Sequence, residues 1–357
     1  MASIETRFDW MKLLDIGAFG ILTATCFAAP LAISHEVLET SALETVPLET
    51  KVHRDWKFRL PAESWKPIGK AIVLPGNGED VSYRSQLDGT TLAIDCDADG
   101  SFDTRIDAES EAVVILVHGS ERVALRVRAT PDWSYAPASL KSCSIEGTKV
   151  ALIDQNNNGR FDDFGEDAMV IGVGKTASFL SKVVSVKGKL YSLSVAKDAS
   201  SLSYAPYEGP TSKVDFDVLT KGKVLAAILK SSDASLSFDV SKSDGEVVEI
   251  PTASYVVHSG LLSFGGNQVS VRTGRAQPFT LEAGKTTELR FGGPVRVEFA
   301  YAVSGKEYNF SPTDIWYYGR AGEEYFDWQP LGKSPVIAIW DGVAKKKFTE
   351  VVFPPNC

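Results

Sequence analysis

From Ala71 onward the chain alternates short apolar runs with clusters of turn residues. Ala112 to Val117 and Arg122 to Val127 flank His118-Gly119-Ser120-Glu121, the pattern of a hairpin. Lys182 to Val195 reads as a second hairpin folded at Lys187-Gly188-Lys189, and Thr280 to Arg290 turns at Ala283-Gly284-Lys285. Val295, Val297, Phe299 and Tyr301 alternate with Arg296, Glu298 and Ala300, which predicts a strand with one apolar and one mixed face. Val336, Ala338 and Trp340 alternate likewise, and Phe348 to Phe353 reads as a terminal strand. Strands spaced roughly eight to twelve residues apart, with no long helical period, predict an all-β protein. The expected architecture is a strand-rich N-terminal region followed by a C-terminal β-sandwich.

The pattern divides the chain. Lys12 precedes a largely apolar run from Leu13 to Ala29 that ends in small residues, so 1–29 reads as an export signal. Residues 30–66 have little periodicity and carry Pro30, Pro47 and Pro61, and read as a linker. Residues 67–205 read as a duplicated β region. A cluster at Ala205-Pro206-Tyr207-Glu208-Gly209-Pro210 marks a boundary, and 206–357 is the expected sandwich.

Within 67–205 one stretch is present twice. The first copy is Asp95-Cys96-Asp97-Ala98-Asp99-Gly100-Ser101-Phe102-Asp103, and the second is Asp154-Gln155-Asn156-Asn157-Asn158-Gly159-Arg160-Phe161-Asp162. Both place an oxygen-bearing side chain at positions 1, 3, 5 and 9, glycine at 6 and phenylalanine at 8. Each follows a turn and a short apolar strand: Leu87-Asp88-Gly89 leads to Ile94, and Ile145-Glu146-Gly147 leads to Ile153. Calcium takes six to eight oxygens, and a loop with donors on alternate residues can wrap one. Asp, Asn and Gly are also ordinary turn formers. Four carboxylates within one short loop repel each other, however, and a turn alone has no need of them.

These stretches resemble the calcium loops of EF-hands, dockerins and thrombospondin type 3 repeats, as well as loops of exported bacterial proteins. The resemblance covers the two loops and not the rest of the chain. It implies calcium held in the first site by Asp95, Asp97, Asp99 and Asp103 with the backbone carbonyl of Ser101. In the second site the ligands are Asp154, Asn156, Asn158, Asp162 and the carbonyl of Arg160. An EF-hand closes with glutamate at position 12, where this chain has Ile106 and Gly165. The carboxylates at position 13, Asp107 and Glu166, are the expected closing ligands. The flanking segments read as strands rather than helices, and Phe102 and Phe161 are expected to anchor the loops in the core.

Net charge is −9, which disfavours nucleic acid and anionic membrane as partners. The leader run is too short and interrupted for a confident span, so no transmembrane segment is expected after its removal. Export to the periplasm, cell surface or medium would allow a Cys96–Cys143 disulfide, with Cys357 left over.

Catalytic motifs are incomplete. Val113 to Gly119 looks like the oxyanion strand of an α/β-hydrolase, but no G-x-S-x-G follows. Gly172-Val173-Gly174-Lys175-Thr176 resembles the end of a phosphate loop, yet Met169 stands where its first glycine belongs. His35, His53, His118 and His258 share no metal spacing. The aromatic cluster Trp316, Tyr317, Tyr318, Tyr325, Phe326 and Trp328 is either core or a stacking surface for a glycan or peptide. The sequence thus favours an exported, non-enzymatic protein with structural calcium. A glycan- or peptide-binding module is the alternative, and a hydrolase with an unrecognised site the third reading.

Overall fold

A computed structural model describes residues 43–75, 80–243, 247–264, 267–305, 307–327, 336–341 and 346–352. All of these lie in one unit, Ser41–Cys357. The leader at 1–29 lies outside the described residues. The described chain is all-β, and its one helical turn is a short 3₁₀ segment, Val240–Ser243.

Period-two alternation builds a first sandwich. Strands Ala71–Leu74, Val81–Asp88, Thr91–Ile94 and Thr104–Asp107 form an antiparallel meander. A second sheet joins Lys66–Pro67, Ser134–Pro137, Glu121–Arg128 and Ala112–His118. Ile72, Tyr83, Leu92, Ile94 and Ile106 of one sheet share a buried cluster with Val114, Leu116, Leu125, Val127 and Tyr135 of the other. Successive side chains point to opposite faces, so each strand gives every second residue to this layer.

The second sandwich repeats that plan. Its larger sheet runs Ser178–Phe179, Ala168–Ile171, Thr148–Ile153, Ser139–Ile145 and Glu49–Val52. The facing sheet runs Glu44–Pro47, Ser201–Pro206, Lys189–Val195 and Val183–Val186. Leu152, Met169, Val184, Tyr191, Leu193, Leu202 and Tyr204 pack between them. Two-residue turns at Glu146-Gly147 and Lys187-Gly188 have positive φ at both positions, the twist that suits a tight hairpin. In both sandwiches a hairpin, an acidic loop and a returning strand are followed by a three-stranded meander. The duplication therefore spans whole sandwiches rather than the loops alone.

Residues read as a linker take part in this packing. Glu44–Pro47 and Glu49–Val52 are strands of both sheets of the second sandwich. Trp56, Phe58 and Leu60 cover Leu140, Ala151, Ile153, Ala168 and Val170 on its outer face. The strand Thr148–Ile153 is consequently buried on both sides, which explains its unbroken apolar run Val150 to Ile153.

The C-terminal part pairs a three-stranded sheet with an eight-stranded one. Thr211–Leu219 lies between Val248–Pro251 and Thr286–Gly292, and its pairing with the latter is parallel. The larger sheet includes Lys223–Ser231, Ser254–Phe264, Asn267–Arg272, Glu324–Phe326, Glu307–Tyr318 and Arg296–Ser304. Val214, Phe216, Leu229, Tyr255, Val257, Leu289 and Phe291 form the core between the sheets. Thr280 to Arg290 does turn near Gly284, but its arms join different sheets: Phe279–Thr280 pairs with Ser254–Phe264, and Thr286–Gly292 with Thr211–Leu219. Val297, Phe299 and Tyr301 do alternate on a strand, yet they are 51%, 43% and 55% exposed because Arg296–Ser304 is an edge strand. The terminal alternation forms a separate hairpin, Val336–Asp341 with Lys346–Val352.

Candidate metal centre

Each acidic loop joins two neighbouring antiparallel strands. Thr91–Ile94 pairs with Thr104–Asp107 around the first, and Thr148–Ile153 with Ala168–Ile171 around the second. The incoming strand carries the first aspartate inward, so Asp95 is 1% and Asp154 5% exposed. The reversal needs left-handed backbone at positions 4 and 6. Ala98 and Asn157 have φ of 60° each, and Gly100 and Gly159 have φ of 98° and 87°. At position 6 this is the conformation glycine adopts without a Cβ clash.

The hydrogen bonds repeat between copies. Gly100 N donates to Asp95 Oδ2 at 2.9 Å, and Gly159 N to Asp154 Oδ2 at 2.7 Å. Asp99 N donates to Asp97 Oδ1 at 3.3 Å, and Asn158 N to Asn156 Oδ1 at 3.1 Å. Ser101 N donates to Asp99 Oδ1 at 2.7 Å, and Arg160 N to Asn158 Oδ1 at 2.8 Å. These bonds turn the side chains of positions 1, 3 and 5 into one hollow. In the first loop, carboxylate oxygens of Asp95, Asp97 and Asp99 lie within 4.8 Å of one another. Asp95 Oδ1 is buried and has no hydrogen-bond partner. Leaving such an oxygen desolvated and unpaired is costly, and a cation in the hollow would remove that cost.

The remaining expected ligands are dispersed. Asp103 Oδ2 accepts from Cys96 N at 2.7 Å and ties position 9 back to position 2. Asp107 is opposite Thr91, at the other end of the strand pair from Ile94 and Thr104, and accepts from Thr91 Oγ1 at 2.7 Å. The structure therefore does not bring Asp107 to the loop. Asp162 is half-buried and pairs with Arg160, whose Nε and Nη2 donate to its carboxylate at 3.0 Å each. Glu166 is exposed, and its carbonyl rather than its side chain accepts from Gln155 Nε2, at 2.6 Å. Ser101 and Arg160 occupy the exposed loop tips. Phe161 packs against the second core, whereas Phe102 lies half-buried beneath Arg84.

The neighbouring acidic residues, Asp163 and Asp167, bond to the loop and to each other. Asp163 Oδ2 accepts from Asn158 Nδ2 at 2.6 Å and Asn156 Nδ2 at 3.5 Å. Asp163 N donates to Asp167 Oδ2 at 3.0 Å. Asp167 is fully buried, and its Oδ1 has no hydrogen-bond partner. Burial pushes the Asp167 carboxyl up to about 8; the Asp163 N–H opposes this, and the charges of Asp154, Asp163 and Asp162 add to it. Burial also raises Asp154, against the N–H groups of Gly159, Asn158 and Asn157. The doublets Asp162-Asp163 and Glu166-Asp167 offered two candidates each. Loop-position counting selects the first of each pair; in the fold Asp167 is buried where Glu166 is exposed, while Asp162 and Asp163 are both half-buried and differ in their partners.

Other candidate chemistry is absorbed by packing. Cys96 and Cys143 are free thiols in different sandwich cores, so the expected disulfide is not formed. Burial pushes the Cys143 thiol up to about 11, which keeps it protonated and unreactive. Gly172 to Thr176 follows Ala168–Ile171 as an exposed turn with Val173 at its tip. Tyr318 and Tyr325 are buried, Trp316, Tyr317 and Phe326 are half-buried, and Trp328 lies outside the described residues. His53 packs edge-on to Trp56 and Phe58, and His258 to Phe179. Among the described residues no helix is long and apolar enough to cross a membrane.

No family model, curated protein or solved structure matches this chain. The functional argument rests on the loops themselves.

Proposed function

We propose that this is an exported calcium-binding β-protein in which the ions stabilise the fold rather than take part in a reaction. The observation that carries this reading is the unpartnered Asp95 Oδ1, buried beside the carboxylates of Asp97 and Asp99. All the facing donors are oxygens, the preference of a hard divalent ion. Cys96 is not a competing soft ligand: its Sγ points back toward the Ile94 carbonyl and Thr104. The matching backbone of the second loop supports a second ion.

A structural role follows from position. The ion would stand where a strand pair opens into a loop, holding the two ends together. Extracellular modules of this loop type bind calcium at about 10⁻⁴–10⁻³ M, so millimolar external calcium fills such sites. The ion then stabilises the folded state by mass action, by about 1–2 kcal/mol at concentrations several-fold above Kd.

The test is the double substitution Asp97→Asn with Asp99→Asn. It is expected to lower the thermal midpoint in millimolar calcium and to change it little in chelator. An equal loss in both conditions would mean that the carboxylates act only within the protein's own hydrogen bonds.

A further inference from the structure

The two loops differ in what surrounds them. Asp97, Ala98, Asp99, Gly100 and Ser101 are all exposed, so the first loop is a free tip. The second is built into the meeting point of three sandwiches. Asp154, Gln155, Asn157 and Asp167 are all at least nine-tenths buried. Toward the first sandwich, Asn157 Nδ2 donates to the Tyr135 carbonyl at 3.2 Å, and a Cβ on Gly159 would lie 2.5 Å from Pro75 Cγ. Toward the covering segment, Gln155 Oε1 accepts from Ala62 N at 3.2 Å, and its carbonyl from Ser64 N at 2.8 Å. Toward the C-terminal sandwich, a Cβ on Gly165 would lie 2.0 Å from the Ala234 carbonyl. Nearby, Lys182 N donates to the Ser235 carbonyl at 2.9 Å.

Resting on the calcium reading above, we infer that the second site is closed by Asp163 and Asp167 rather than by Asp162 and Glu166, and that its divalent cation locks the three sandwiches together. Asp167 Oδ1 is the independent observation. It is a buried carboxyl oxygen without a hydrogen-bond partner, on a residue whose other oxygen is fixed by Asp163 N. The Asp163 carboxylate already draws in the side chains of Asn156 and Asn158, and Arg160 Nη2, which lies 3.5 Å from its Oδ1, would have to give way to an ion. Among the described residues the acidic set with oxygens all within 4.8 Å of one another is Asp95, Asp97 and Asp99; a cation at the second site would draw Asp154, Asn156, Asn158, Asp163 and Asp167 together and satisfy the orphan oxygen. The same residues hold the turn from Asp163 to Gly165 that touches Ala234. Emptying the site therefore releases the junction, whereas emptying the first loop leaves it intact.

Calcium stoichiometry by titration calorimetry, with amide exchange read by mass spectrometry, tests this on the full protein. The native chain is expected to bind two ions. Asp167→Asn and Asp163→Asn are each expected to bind one, Glu166→Gln and Asp162→Asn two. Calcium should slow exchange at the Ala62, Ser64 and Lys182 amides by at least about tenfold in the native chain. It should do the same in Asp97→Asn/Asp99→Asn, and fail to do so in Asp163→Asn and Asp167→Asn. Asp163 is only half-buried, so Asp163→Asn decides the outcome if Asp167→Asn does not fold. No ion on the native chain would overturn the calcium reading and this inference with it. Two ions on the native chain, with Asp163→Asn or Asp167→Asn still binding both, would overturn this inference alone. So would calcium-independent exchange at the three amides.

Discussion

Gly100 and Gly159 hold the same place in their loops with nearly the same backbone, yet they face different surroundings. No atom outside the local chain lies within 4 Å of a Cβ built on Gly100, while one on Gly159 meets Pro75 at 2.5 Å. Both substitutions to alanine incur the left-handed backbone penalty, about 1 kcal/mol. Gly159→Ala also forces Pro75 and its strand to move, for about 1–3 kcal/mol more. Chemical denaturation of the two variants is expected to rank Gly159→Ala as clearly less stable, and equal losses would contradict the packed position of the second loop. The loop glycines were legible in the sequence because calcium loops need them at position 6. The difference between them was not, since Pro75 is remote in sequence and carries no motif. The same applies to the proposed closure: Asp167 differs from Glu166 in burial and Asp163 from Asp162 in its bonds to Asn156 and Asn158, and neither difference is written in the loop spacing.

At the scale of elements, alternation and turn chemistry carried most of the fold. The hairpin Ala112–His118 with Glu121–Arg128 was readable because apolar residues alternate on both arms around a glycine turn. Glu44–Pro47 and Glu49–Val52 were not, because edge strands with polar exposed faces have no apolar signal and Pro47 looks like a breaker. The period also cannot say what covers a face, which is why the Val297 to Tyr301 ladder ends up exposed on an edge strand. The duplication of 67–205 was legible at the loops and their lead-in strands, and its full extent was not, for a related reason. Ligands must keep their identity, whereas core positions need only stay apolar and of suitable volume. Element packing gives a pH prediction. His258, on Ser254–Phe264, sits edge-on to Phe179 at 4.7 Å, and burial pulls its imidazole down to about 4, helped by Lys230. The unfolded chain binds this proton near pH 6.5. Between about pH 6.5 and 4 the unfolded state therefore holds the extra proton, and stability falls as pH falls through that window. His258→Gln should flatten this part of a stability–pH curve measured by urea denaturation; an unchanged slope would show that other groups set it.

At the scale of the molecule, the described residues from 43 to 327 form three β-sandwiches joined through short, packed connections. Trp56 and Trp65 lie over Arg126, whose guanidinium pairs with Glu63, fixing the covering segment to the first sandwich. Arg320 bonds to Asp217 Oδ2 at 2.8 Å and to the Phe291 carbonyl at 3.0 Å, clamping the two C-terminal sheets. Against that frame, Asp95 at the first loop and Asp167 beside the second each keep a buried carboxyl oxygen without a hydrogen-bond partner, and calcium is the account's explanation for both. Its most direct test is a thermal melt of the purified, metal-stripped protein titrated with calcium, with magnesium and chelator as controls. The account predicts a midpoint that climbs with calcium through the millimolar range, responds far less to magnesium and returns to its starting value in chelator. A midpoint indifferent to calcium would contradict it and leave the two loops as acidic turns.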